Sequence, residues 1–349
     1  MNSPLQNKEF DPSGVGLKNG NFIGLPFNEK TAKVILVPVP WDITVSFGEG
    51  TAKGPKAILE ASVQLDLYDP DVEDAWKLGI FMQPQNDAIR KKRKKLRKIS
   101  AEYINFLENG GDLEQNMGMQ EELQKINREC KKNNTRVYNE VKKILNAGKI
   151  PGIIGGDHSV PLGALQAVGE KYPEFGILQL DAHLDLRNSY EGFTYSHASI
   201  FYNALKIKSL KKLLQVGIRD YCEEEVQVVQ KEGERISVFF DYSLKENQFK
   251  GKNWDVQCNE IISKLPENVY VSIDVDGLDP KLCPNTGTPV PGGLDFQQAI
   301  YLLKKTVESG RKIIGFDVCE TGNAEWDTNV AARIIYKLSN LAGRSQKLI

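Results

Sequence analysis

Short apolar runs alternate with longer amphipathic ones along most of this chain. AKVILVPVP (32–40) has the continuous apolar character of a strand covered on both faces, and GPKAILEASVQL (54–65) reads as a helix opened by proline. Further strands are predicted at PGIIGG (151–156), FGILQLDAH (175–183), LLQVGIR (213–219), ISVFF (236–240), VYVSIDVD (269–276) and KIIGFDVCE (312–320). Helices fall between them, at VPLGALQAVGEKY (160–172), near 197–206 and 222–232, at FQQAIYLLKKTVES (296–309), and from about 328 to 341. Strands alternating with helices predict βαβ units: an α/β fold with a parallel sheet and helices on both faces. Ligands of such folds bind beyond the carboxyl ends of the strands.

Two stretches depart from this alternation. The N-terminal lead-in, about 1–30, is polar and lacks the basic-then-apolar pattern of a secretory signal. The region of about 84–135 reads as a helical insertion: RKKRKKLRK (90–98) places eight basic residues in nine, and Ile99, Tyr103, Phe106 and Leu107 follow at helical spacing. A basic run of this kind is one signature of a nucleic-acid patch. Here it belongs to a chain with 45 basic and 46 acidic side chains, so it reads as a solvated helix face and no nucleic-acid partner is expected. No apolar run approaches the roughly 18 residues needed to span a bilayer, so no membrane partner is expected either. The five cysteines are scattered without a C-x-x-C pair, which suits a reducing cytoplasm.

The candidate chemistry sits at the predicted strand ends. Three histidines, His158, His183 and His197, fall within 40 residues of one another. GGDHS (155–159) ends one strand, DAHLD (181–185) the next, and SIDVDGLDP (272–280) a third, bringing Asp274 and Asp276. Alternate residues on a strand share a face, so each cluster is expected on one side of its segment and all three at one edge of the sheet. Four carboxylates crowded together would raise one another's pKa values, and two divalent cations would balance them. A donor set of His158, Asp181, His183, Asp185, Asp274 and Asp276, with no thiolate, favours Mn²⁺ or another borderline-hard metal. Two such metals about 3.5–4 Å apart activate a bridging water. GEGTAKGPK (48–56) lacks the pattern of a phosphate loop, because Pro55 follows Gly54 and no Ser or Thr follows Lys56.

At these motifs the chain resembles the ureohydrolase family, the arginases and agmatinases. Further matching stretches are VPWD (39–42), GTAKGPKAI (50–58), TGTPVPGGL (286–294) and DVCE (317–320). The resemblance implies a single arginase-like catalytic domain over 1–349, a three-layer α/β/α sandwich with a central parallel sheet and a helical insertion, and a homo-oligomer, a trimer or hexamer. It implies one metal held by His158, Asp181, Asp185 and Asp274, and a second by His183, Asp181, Asp274 and Asp276. The implied reaction is hydrolysis of a guanidinium group to urea plus an amine or ammonia by a metal-bridging hydroxide. Asp185 would carry the proton to the leaving nitrogen, His197 would shuttle protons, and Glu320 would orient the guanidinium. SHASIFYNA (196–204) is similar to the agmatinase branch, while NGNFIGLPF (19–27) with VPWDITVS is similar to the nickel-dependent guanidine hydrolases, so Ni²⁺ stands beside Mn²⁺. Phe193, Tyr195 and Trp326 are expected to close the pocket over a small cation. The alternatives are an arginase or another guanidino-acid or formimidoyl hydrolase, and, outside catalysis, a non-catalytic partner subunit.

Overall fold

A computed structural model describes residues 10–349. Its first strand, β1 (Val34–Val39), is followed by helix α1 (Gly54–Ser62) and a three-residue edge strand, β2 (Ile80–Met82). Two long helices, α2 (Asp87–Glu108) and α3 (Met117–Asn146), then lead to β3 (Ile150–Gly155). The alternation continues with α4 (Leu162–Lys171), β4 (Phe175–Leu180), α5 (Ile200–Ala204), β5 (Leu210–Ile218), α6 (Glu223–Glu232) and β6 (Ile236–Phe240). Helices α7 (Asp241–Phe249) and α8 (Trp254–Ser263) precede β7 (Asn268–Asp274), α9 (Phe296–Glu308), β8 (Lys312–Cys319) and α10 (Glu325–Ser345).

Among the described residues the strands form one eight-stranded sheet in the order β2-β1-β3-β8-β7-β4-β5-β6, and every pairing is parallel. The strand alternation divides the apolar side chains between two cores. Val34 and Leu36 of β1 and Leu178 and Leu180 of β4 face one core with residues of α1, α8, α9 and α10. Ile35 and Val37, with Phe175 and Ile177, face the other, built from α2, α3, α4 and α5. This is the three-layer α/β/α sandwich that the pattern implies.

Several boundaries move. The polar lead-in has its first nine residues outside the described ones, and further on Phe22, Ile23 and Leu25 are buried. Asn21 holds them: its amide donates to the carbonyls of Leu25 and Ile80, and its oxygen accepts from Met82 N at 3.0 Å. The expected end of the insertion near 135 falls inside α3, which runs unbroken into the connection before β3. Helices α7 and α8 and strand β2 are additions to the predicted set: DYSLKENQF (241–249) is too polar, and three residues too short, for a periodic signal.

Candidate metal centre and active site

The four central strands carry the candidate residues to one edge. The chain passes from β3 to β4, and β7 and β8 later return to fill the gap between them. Just beyond β3 lies His158, beyond β8 Glu320, at the end of β7 Asp274 and Asp276, and beyond β4 Asp181, His183 and Asp185. The strand alternation expected through 181–185 stops at Leu180. Beyond it His183 pairs with Asp220 in an isolated bridge, and Asp185 turns into the left-handed region at φ 54°. A loop, rather than a pleat, therefore gathers these three side chains. Asp185 and Glu320, at φ 59°, both hold a backbone conformation that is uncommon outside glycine and clusters at functional sites.

His158 is buried, with Nδ1 3.0 Å from Asp181 Oδ2, 3.1 Å from Asp185 Oδ2 and 3.4 Å from Asp274 Oδ2. Its Nε2 lies 2.9 Å from Ser272 Oγ, and that hydroxyl donates to Asp317 Oδ1 at 3.0 Å. With the hydroxyl proton given to Asp317, Ser272 accepts from Nε2–H, and this network assigns the tautomer. The Nδ1 lone pair then faces three carboxylates, where only positive charge is tolerable: a proton or a cation. None of the three meets Nδ1 in hydrogen-bonding geometry, so it is a buried nitrogen without a partner. A divalent cation fits that position, because it attracts nitrogen and carboxylates alike.

The second half of the cluster mirrors the first. His183 Nδ1 is 3.1 Å from Asp276 Oδ2 and 3.6 Å from Asp181 Oδ1. His158, Asp181 and Asp185 form one group of potential ligands, and Asp181, His183 and Asp276 another, each with ligand atoms within 4.8 Å. Asp181 belongs to both, and the cluster is consistent with a binuclear site. A third grouping of His158 with Asp317 and Cys319 uses the Nε2 side, which Ser272 already occupies. The carboxylates are held from behind: Asp181 accepts from Gln179 Nε2 at 2.8 Å and from His183 N at 2.7 Å. Asp276 accepts from Ala182 N at 3.1 Å and from the Thr288 hydroxyl at 3.3 Å.

Charge is in short supply on the chain's own groups. Burial, then the neighbouring Asp181 charge, pushes Asp185 up to about 7. Burial with Asp276 and Asp181 drives Asp274 well above the usual carboxylate range. Burial opposes charge on His183, but the Asp276 and Asp181 carboxylates prevail and raise it to about 12. Carboxylates pushed upward by burial and by one another, beside an imidazole pushed upward by carboxylates, mark a site whose chemistry favours added positive charge.

A cavity of about 240 Å³ opens over the cluster, walled by His183, Asp185, His197, Arg187, Tyr190 and Asp220, with Tyr221 also lining it. His197 is partly buried, its ring edge-on to Tyr190 at 6.1 Å between centroids. Burial, reinforced by the positive charges of His183 and His158, lowers it to about 4, so the imidazole stays neutral. Glu320 does not line this cavity. It is buried beside His158, where Oε1 accepts from His158 N at 3.0 Å and Oε2 has no partner.

The expected aromatic closure is corrected. Trp326 is 54% exposed at the start of α10, and its indole N–H donates to the Lys281 carbonyl at 3.0 Å, away from the cavity wall. Phe193 is fully buried against Tyr103, and Tyr195 packs on the same core. The aromatics that do line the cavity, Tyr190 and Tyr221, were absent from the expected set, as were Arg187 and Asp220. Asp220 follows the strand LLQVGIR, and the strand-end rule alone would have pointed to it. Glu225 also lines the cavity, but both its oxygens are engaged, accepting from Leu186 N and Cys222 N at 3.0 Å each.

Comparison with known proteins places this geometry. The arginase family model matches residues 32–339. The chain is 32% identical over 320 residues to N(1)-aminopropylagmatine ureohydrolase of Thermus thermophilus, covering 91% of this chain and 92% of the relative. It is 28% identical over 318 residues to agmatinase of Bacillus subtilis, covering 88% and 91%. Among solved structures, agmatine ureohydrolase of Thermoplasma volcanium superposes with a TM-score of 0.71 at 22% identity, over 95% of this chain and 97% of the other, a likeness of fold. With that match and a buried His/Asp cluster suited to metal, the chain belongs to the arginase family and is a metal-dependent ureohydrolase acting on a guanidino-type C–N bond.

Proposed function

We propose that the substrate is the guanidinium of a small aliphatic cation of the agmatine type, cleaved to urea and an amine. The observation that carries this reading is a cavity ending on the His/Asp cluster with Asp220 and Tyr221 in its wall. Asp220, 66% exposed beside an aromatic ring and with one oxygen 3.8 Å from His183 Nε2, keeps carboxylate surface in the wall that suits a substrate ammonium. The names of the Thermus and Bacillus relatives point to the same class.

One metal would be held by His158, Asp181, Asp185 and Asp274, and the other by His183, Asp181, Asp274 and Asp276. The oxygen and imidazole donors favour Mn²⁺, with Ni²⁺ as the alternative. When bound, the pair supplies Lewis acidity and hydroxide near neutral pH. The chain's own groups do the rest. Asp185, facing both cluster and cavity, takes the nucleophile's proton and returns it to the leaving nitrogen, which departs as a neutral amine. Neutral His197 accepts and relays protons at the cavity wall. Glu320 stands outside the cavity lining, but its Oε2 is a buried acceptor without a partner next to His158 and would take a guanidinium N–H from a substrate that reaches the cluster.

A second reading, free guanidine, draws on Arg187. Its guanidinium lies 4.9 Å over the Tyr190 ring in the cavity wall, where positive charge disfavours a second cation on the substrate. Rates of urea release from agmatine, aminopropylagmatine, guanidine and arginine separate the two. The agmatine reading predicts that Asp220→Asn lowers kcat/KM for agmatine about tenfold more than it does for guanidine, equivalent to ~1.4 kcal/mol of differential binding, with any loss common to both substrates reporting the His183 contact. Turnover of guanidine alone would favour the second reading.

We read the chain as one catalytic domain in a cytoplasmic homo-oligomer, a trimer or hexamer. The five cysteines are unpaired and no helix among the described residues is long and apolar enough to cross a membrane, both in keeping with that location. The oligomer rests on the family resemblance, and sedimentation would measure its size.

A further inference from the structure

We propose that a cationic groove between the amino-terminal parts of α1 and α2 binds an oligophosphate anion. The groove encloses about 500 Å³ and has no lining residue in common with the catalytic cavity. Its charged lining residues are Lys53, Lys56, Arg90, Lys91, Arg93 and Lys94, without one carboxylate among them.

Little within the protein balances this charge. Among the described residues Lys53, Lys91 and Lys94 form no ion pair. Lys56 meets only the exposed Glu60 at 3.4 Å, and Arg90 only the exposed Asp87 at 3.0 Å. Exposed pairs of this kind contribute little. Arg93 alone is firmly engaged, with its guanidinium on the fully buried Asp42. One further feature points to an anion. Gln85 lines the groove with a buried Nε2 that has no acceptor. The start of α1 adds no free donor, since Lys53 N and Gly54 N donate to the Gly50 and Thr51 carbonyls and Pro55 has no N–H, so the side chains of the groove, Lys53 and Lys56 at the amino end of α1 among them, carry the site. Cations at a helix amino end oppose the helix dipole and one another. An anion reverses both penalties.

The choice of oligophosphate follows from the spread of the donors. They lie on two helices and the turn before α1, which suits a chain of phosphoryl groups more than a single small ion, and both Lys and Arg bind phosphate well. The groove also adjoins the segment that serves the substrate cavity. Asp42, held by Arg93, accepts from Gly50 N at 3.3 Å and Ala52 N at 3.1 Å, and Ser46 of the same segment lines the catalytic cavity. Arg97, one turn further along α2, donates to the Val45 carbonyl at 2.8 Å.

The test is calorimetric titration of the full-length, metal-loaded protein with inorganic tripolyphosphate, ATP and long-chain polyphosphate, alongside sulfate at matched ionic strength. The double variant Lys91→Gln/Lys94→Gln, which changes two exposed side chains, is titrated in parallel and controls for metal chelation by phosphate. The expected result is saturable binding of tripolyphosphate by the wild type, weakened at least tenfold in the variant, with urea release in the absence of phosphate unchanged. A preference for ATP or for polyphosphate identifies the source of the phosphate chain. If the double variant is unstable, Lys56→Gln/Arg90→Gln reads the same loss. Absence of saturable binding, equal binding by the variants, or an equal response to sulfate overturns the proposal. So does capture of single-stranded RNA or phosphatidylserine vesicles that tripolyphosphate does not displace.

Discussion

Replacing Ser272 with Ala removes one oxygen from the line His158–Ser272–Asp317 and leaves the ligand atoms untouched. In the wild type the hydroxyl accepts from Nε2 at 2.9 Å and donates to Asp317 at 3.0 Å, with all three residues buried. The substitution leaves Nε2–H with only Asp317 Oδ1, 3.6 Å away and too long for a good hydrogen bond, at a cost of up to about 1–3 kcal/mol. The ring is then free to turn or to take the other tautomer, and either change withdraws the Nδ1 lone pair from the cluster. Partners that orient a metal-binding imidazole are typically worth 10–100-fold in metal affinity. That range is about 1.4–2.8 kcal/mol of metal binding, separate from the cost to the fold. Competition titration of metal against a chelator measures it, and Ser272→Ala should lose affinity at the His158 side while the fold survives. Unchanged affinity for both metals would refute the tautomer argument.

Other expectations follow from the same geometry. Asp185→Asn keeps a similar shape but removes the proton carrier, so turnover should fall by roughly 10²–10⁴, more than any loss of metal content explains, as paired activity and metal analysis would show. His197 is held at about 4 in the fold by burial and by the positive charges of His183 and His158, whereas an unfolded histidine titrates near 6.5. Between those values the unfolded chain binds the extra proton, so stability rises with pH there. The margin of wild type over His197→Gln should therefore shrink as pH drops from about 6.5 to 4 in chelator-treated melts. Arg93→Ala leaves the fully buried Asp42 carboxylate without its cation and should cost about 3 kcal/mol in denaturant unfolding, the lower end for a broken buried pair because two backbone N–H groups remain.

The metal cluster was legible because its chemistry is conspicuous at the level of residue type. Aspartates and histidines at the ends of apolar strands have no packing role, and the parallel βαβ pattern sends all such ends to one edge. The loop conformation was not legible. Nothing in DAHLD announces that the strand stops at Leu180 or that Asp185 adopts φ 54°. The cavity wall was read least well, because it is made where separate loops converge. Trp326 looked chemically apt yet lies on the surface, while Tyr190 and Asp220 reach the wall from a loop and a strand end. By composition the basic run reads as one solvated face. In fact Arg93 and Arg97 turn inward to hold the 42–49 segment, and their lysine neighbours, half a turn away, remain outside. Composition cannot separate these two roles, since helical phase relative to a distant loop decides them.

The central claim is that this His/Asp cluster holds divalent metal to hydrolyse a guanidino group. Its most direct test is urea release by purified protein that has been stripped with chelator and then titrated with Mn²⁺ or Ni²⁺, with bound metal counted in the same samples. The account predicts no activity when stripped, and urea from agmatine or guanidine that appears as the metal content approaches two ions per chain. Protein carrying two metals per chain that releases no urea from agmatine, aminopropylagmatine, guanidine or arginine would contradict it.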